Sequence, residues 1–144
     1  MRVNDVLRNK GNQVVTIRSD ATVGDLVDLL GEHGIGAVVV VDDPEAPAPV
    51  GIVSERDVVR RLRDGGVDYL ASPVAQIMTT DVLTCQPDDE IEGVARQLTE
   101  HRIRHLPVLA DGRLAGIVSI GDVVKQRMDE LQAERDHLTT YIQG

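Results

Sequence analysis

Hydrophobic and polar positions follow two periods along this chain, and the order of those periods recurs. Val23, Leu26, Val27 and Leu30 stand at i, i+3, i+4 and i+7, the spacing of an amphipathic helix. Ser19, Asp20 and Thr22 supply turn and cap chemistry ahead of it, and Gly34 and Gly36 stop it. A brief strand is expected at residues 14–17, after a short helical turn around Val3, Val6 and Leu7 and a polar loop at 9–12. Residues 37–41 form a continuous apolar run that reads as a fully buried strand. A Pro-rich turn at 42–49 leads to a returning strand at 50–53, and Ser54 caps a helix that runs to about Leu62.

After residues 63–73, which read as a linker, the pattern restarts. With an offset of 68, residues 14–43 match 82–111 at nine of thirty positions, Thr16/Thr84, His33/His101 and Ile35/Ile103 among them. The helix positions return as Ile91, Val94, Ala95 and Leu98, and the first turn returns as Val74, Ile77 and Met78. With an offset of 65, residues 51–60 match 116–125 at seven of ten. Asp111-Gly112 between two apolar runs is a hairpin signal. The expected architecture is therefore an α+β fold of two tandem strand-helix-strand-strand-helix repeats. One such unit buries too little alone, so two are expected to share one core in a pseudo-twofold arrangement, facing each other across a groove.

Composition narrows the function. The chain has 144 residues, 42% of them apolar, with no Trp or Phe and two Tyr. That aliphatic core suits buried strands and offers no aromatic platform for bases. A net charge of −9 without a basic stripe argues against direct nucleic-acid binding. Cys85 is the only cysteine, which excludes an internal disulfide and a Cys-based zinc site; it reads as a small core residue. No signal-peptide core or membrane-length run is visible, so a cytoplasmic protein is expected. The histidines lack metal-ligand spacing, and no nucleophile triad, P-loop or His-Glu-x-x-His motif marks an enzyme.

Two stretches hold the candidate chemistry: Gly51-Ile52-Val53-Ser54-Glu55-Arg56-Asp57 and Gly116-Ile117-Val118-Ser119-Ile120-Gly121-Asp122. Each is a strand running into Ser-x-x-Asp at a helix start. That spacing is a capping box, which only finishes the helix end. The same helix start carries unpaired N–H groups and partial positive charge, which suit an anion. A basic cluster, His101, Arg102, Arg104 and His105, lies before a strand of the second repeat, where the first has His33, Gly34, Gly36 and Ala37. Arg104 and His105, next to the strand, are the stronger candidates for phosphate; for Arg102 the alternative is a solvated surface turn. Arg56 is a further candidate, and its counterpart Gly121 cannot match it.

The tandem pattern, the Ile103-Arg104-His105-Leu106-Pro107-Val108 stretch and the paired Gly-Ile-Val-Ser-x-x-Asp motifs resemble a pair of CBS domains, a Bateman module, over residues 1–127. The resemblance implies a regulatory sensor that binds an adenine nucleotide (AMP, ADP or ATP, with NAD also compatible) between the repeats, and no catalytic cofactor. It implies that Asp57 and Asp122 accept ribose hydroxyls while Ser54 and Ser119 lie near phosphate. It places Thr16 and Thr84 at the adenine pocket, with Ile17, Ile35, Ile103 and Pro107 as apolar walls. The expected divisions are repeat 1 at 1–62, linker 63–73, repeat 2 at 74–127 and a C-terminal helical extension at 128–144. In that extension Val124, Met128, Leu131, Leu138 and Ile142 form a heptad-like seam interrupted by Arg135. A homodimer follows from the resemblance and from this long helix. The competing reading is a nucleotide-independent scaffold working through the helix.

Overall fold

A computed structural model describes residues 1–11 and 14–143; Asn12 of the polar loop lies outside the described residues. Helix α1 (Val3–Lys10) leads into strand β1 (Thr16–Ile17), shorter than the 14–17 expected, then helix α2 (Val23–His33) and strand β2 (Ala37–Val40). Strand β3 (Gly51–Ser54) runs directly into helix α3 (Glu55–Gly65). Helix α4 (Ile91–Glu100), strands β4 (His105–Ala110) and β5 (Arg113–Ser119), and helix α5 (Ile120–Gln143) repeat the order. β2 pairs parallel with β1 and antiparallel with β3. β4 pairs antiparallel with β5, and the counterpart of β1 shrinks to one parallel bridge, Cys85 to Val108. The β4–β5 hairpin turns on Asp111 and Gly112, both left-handed (φ 53° and 76°), as a two-residue primed turn requires.

The apolar residues form two clusters instead of the one shared core expected from sequence. Val23, Leu26, Val38, Val40, Val53 and Val58 pack together in the first half, Val94, Leu98, Leu106, Val108 and Val118 in the second. Each cluster is completed by the lead-in segment of the other half. Val3, Val6 and Leu7 of α1 lie in the second cluster, and Val74 and Ile77 lie in the first. The backbone bonds repeat the exchange. Val3 N–H donates to the Asp89 carbonyl and Asn4 N–H to that of Pro87, both at 2.9 Å. Their counterparts run from Val74 to Ala21 at 2.8 Å and from Ala75 to Ser19 at 3.0 Å. Two small sheets each leave one side short of apolar cover, and the exchanged segments supply it; the pseudo-twofold relation follows from this reciprocity.

Residues 63–73, read from sequence as a linker, hold the last turn of α3 and a 3-10 turn at Gly66–Ala71 that contacts α2 and α3. Cys85 is buried in the second cluster, where burial first and the Asp89 charge second push its thiol up to about 12, so it stays protonated and unreactive.

Candidate functional site

Both Ser-x-x-Asp motifs are capping boxes. At α3, Asp57 Oδ2 accepts from the Ser54 N–H at 2.9 Å and from the Ser54 hydroxyl at 3.1 Å, and Ser54 Oγ accepts from the Asp57 N–H at 3.4 Å. At α5, the Ser119 N–H reaches Asp122 Oδ2 at 2.8 Å and the Asp122 N–H reaches Ser119 Oγ at 3.1 Å. The cap uses one carboxylate oxygen in each case. Among the described residues Asp57 Oδ1 has no hydrogen-bond donor, so it can accept from a ligand.

The start of α3 opens into a cleft of about 660 Å³ between the halves, within the roughly 300–1,000 Å³ of small-molecule pockets. The first half contributes Gly36, Ile52, Ser54, Glu55, Arg56, Asp57 and Arg60, and the second Thr79, Asp81, Leu83 and residues 101–105. Ile52, Leu83 and Ile103 give it apolar walls. Arg56, Arg60, Arg102 and Arg104 give it positive charge, and among the described residues none of the four forms an ion pair. Unpaired guanidinium groups are the planar, permanently charged forks that bind phosphate oxygens. A chain with net charge −9 gathers four of them at one helix start.

His105 sits at the inner end, where a Cβ on Gly36 would meet its Cε1 at 3.5 Å. Burial lowers the His105 proton affinity, Lys10 and Arg104 lower it further, and Asp122 and Glu55 oppose them. Arg102 follows α4 in the left-handed conformation (φ 54°), where Gly34 (φ 59°) follows α2. A side chain at such a position costs about 1–2 kcal/mol relative to glycine, and here it lines the cleft.

Of the candidates from sequence, Ser54, Arg56, Asp57, Ile103, Arg104 and His105 converge on this cleft. Ser119 and Asp122 lie at the start of α5, where Asp122 Oδ2 also accepts from Lys10 Nζ at 2.8 Å. Ile17 and Ile35 pack against the first core cluster, Pro107 is buried in β4 opposite Ile117, Thr16 is exposed in β1, and Thr84 is half-buried beside Cys85. None of these five lines the first cleft. Ile52, Arg60, Thr79, Asp81 and Leu83 line it without having been singled out. Ile52 carried one signal, as the outward position of an alternating strand (inside, half-buried, inside, half-buried) directly before Ser54. Among the described residues no group of three His, Cys, Asp or Glu could hold a metal ion, and no helix is long and apolar enough to cross a membrane.

The family model for the CBS domain matches residues 3–64 and 74–129. This chain belongs to the CBS domain family. It is similar to the CBS domain-containing protein CBSX3, mitochondrial, of Arabidopsis thaliana, with 36% identity over 99% of this chain and 72% of that protein. It is also similar to the crystal structure of the CBS-domain containing protein ATU1752 from Agrobacterium tumefaciens, with 42% identity and a TM-score of 0.84 over 88% of this chain and 99% of that one. A third likeness is to the CBS domain protein PAE2072 from Pyrobaculum aerophilum complexed with AMP, with 27% identity and a TM-score of 0.75 over 85% and 89% of the two chains. The two matched segments make the chain a CBS pair, as the sequence resemblance implied.

Proposed function

We propose that this CBS pair is a regulatory sensor of adenine nucleotides, AMP, ADP or ATP before NAD, and that the first cleft is its working site. The observation that carries the reading is the convergence of four unpaired arginines on the start of α3, beside a free carboxylate oxygen. In this reading Asp57 Oδ1 accepts the ribose hydroxyls, a pair of donors that a carboxylate suits. The α3 start with Ser54 faces phosphate, and Arg56, Arg102 and Arg104 pair with its oxygens. Ile52, Leu83 and Ile103 cover the base. The AMP carried by the Pyrobaculum relative supports the ligand class.

Occupancy pulls the halves together, because the arginines at 102 and 104 belong to the second half and Ser54 and Asp57 to the first. The signal then leaves as a change in shape or in dimer packing. α5 supports the dimer: Val124, Met128, Leu131, Leu138 and Ile142 are all exposed along it. The same seam favours the second reading, a scaffold indifferent to nucleotide, in which truncation after Lys125 removes all function. Isothermal titration of the full chain with AMP, ADP, ATP and NAD tests the first reading, which expects saturable binding lost in Asp57→Ala. Silence with all four at millimolar ligand, or binding untouched by Asp57→Ala, overturns it. The proposed role is regulatory, so hydrolysis of ATP by the pure protein would also count against it.

A further inference from the structure

Thr79 of the second lead-in segment exchanges two backbone hydrogen bonds with Ile52, at 2.9 and 3.0 Å, and so holds the chain beyond it against the wall of the first cleft. Of the residues that follow, Asp81 and Leu83 line the cleft, and Thr80 and Val82 do not. A carboxylate thus stands in that wall between a threonine and a leucine, on a segment that supplies part of the apolar cover.

Three carboxylates line this cleft, those of Glu55, Asp57 and Asp81, and two have local partners. Asp57 closes the cap of α3. Glu55 lies over Gly36 beside His105: a Cβ on Gly36 would be 3.3 Å from Glu55 Oε1 and 3.5 Å from His105 Cε1. Asp81 belongs to no helix start, and among the described residues its exposed side chain forms neither an ion pair nor a hydrogen bond. By count from Leu7 and Met78, which cover Gly116 and Gly51, its counterpart in the other lead-in segment is Lys10. That ammonium donates to the Ile117 carbonyl at 2.9 Å and to Asp122 Oδ2 at 2.8 Å, so the free acceptor is not repeated in the other copy.

We propose that Asp81 is the specificity-determining residue of the first cleft: its carboxylate accepts the 6-amino group of adenine and so selects a 6-aminopurine over a 6-oxopurine. The inference rests on the adenine-nucleotide reading of that cleft. A free anion costs affinity in a cleft that takes phosphate, unless it faces a group that donates. An adenine nucleotide has two sets of donors, the ribose hydroxyls and the 6-amino group. Asp57 takes the first, and Asp81 stands on the segment of Leu83 and beside Ile52, which cover the base. A carboxylate only accepts, so the amino group gains a charge-assisted bond, whereas the O6 of guanine would set acceptor against acceptor.

The test is isothermal titration of the full chain with AMP, with purine riboside 5′-monophosphate, which is AMP without the 6-amino group, and with GMP. The parent, Asp81→Ala and Asp81→Asn are compared, and circular dichroism monitors the fold. The parent should bind AMP about tenfold more tightly than the analogue without the amino group, as one charge-assisted hydrogen bond is lost at an exposed position. In Asp81→Ala the two ligands should bind alike. A merely structural role would weaken both together and leave their ratio unchanged. Asp81→Asn, a neutral acceptor of the same shape, should fall between. Equal binding of AMP and the analogue by the parent, or a preference that survives Asp81→Ala, overturns the inference and leaves the first-cleft reading standing. GMP bound more tightly than AMP by the parent overturns both, because a carboxylate can also take the paired N–H donors of guanine. Silence of the parent with all three ligands refutes the adenine-nucleotide reading, and the inference with it.

Discussion

Replacing Arg102 by glycine separates two quantities that usually fall together. Arg102 holds a left-handed conformation at φ 54°, where Cβ contact with a neighbouring carbonyl costs about 1–2 kcal/mol. Glycine removes that cost and returns about 0.5–1 kcal/mol of it through a freer unfolded chain. The net expectation is a gain of about 0.5–1 kcal/mol, which for a domain of this size raises Tm by roughly 2–4 °C. The same change removes a guanidinium from the cleft. A charged hydrogen bond to phosphate contributes about 1.5–3 kcal/mol, and the exposure of Arg102 favours the low end. AMP affinity should then fall by about tenfold. Differential scanning calorimetry of the ligand-free protein and isothermal titration with AMP read the two effects separately. Arg102→Ala is the control, since it keeps the Cβ and should weaken AMP without stabilising. A ligand-free Arg102→Gly that melts below the parent would show that the turn carries no relievable strain, and an unchanged affinity would remove Arg102 from the phosphate site.

Leu7→Ala should destabilise the chain by about 2–4 kcal/mol, read by urea unfolding, because Leu7 fills the second core and covers Gly116; a loss below about 0.5 kcal/mol would mean α1 is only loosely seated. Acid should weaken the fold in two stages. His105 has its proton affinity lowered on folding, so the unfolded chain binds more protons and stability falls as pH drops below about 6.5. Asp122, lowered as well, adds stability that is present above its unfolded value near about 4 and is lost as pH falls through its folded one. His105→Gln should remove the first stage, and an unaltered profile in urea melts across that range would contradict the assignment. Leu131→Arg, which puts a second charge into the exposed seam of α5, should move the chain from dimer to monomer in sedimentation equilibrium; a parent that is already monomeric would refute the seam as an interface.

Local chemistry was legible in the sequence where it is settled within a few residues. The capping boxes at Ser54 and Ser119, the primed turn at Asp111-Gly112 and the amphipathic α2 all depend on neighbours in the chain. The exchange of Val3, Val6 and Leu7 for Val74 and Ile77 was not legible, because periodicity says which face of an element is buried and is silent about which half buries it. The cleft shows the same division. Asp57, Arg56, Arg104 and His105 stood out by charge and by motif, whereas Thr79 and Leu83 reach the cleft only because the second lead-in bridges to Ile52. Arg102 carried the alternative of a surface turn, since nothing in its sequence neighbours reveals a left-handed backbone. Lys10 gave no signal at all: its partners Ile117 and Asp122 lie more than a hundred positions away.

The exchanged lead-in segments also set an order in time. During synthesis α1 is made first, yet its seat exists only after Val118 and Val123 have been added. The first sheet is complete by Ser54 but waits for Val74 and Ile77 before its core can close. Neither half reaches its final packing as a nascent fragment, and the earliest segment makes the latest contacts, which slows folding by the cost of closing long loops. A cut between the halves would leave two pieces, each carrying the plug for the other, so the severed chain should reassemble only as a complementary pair.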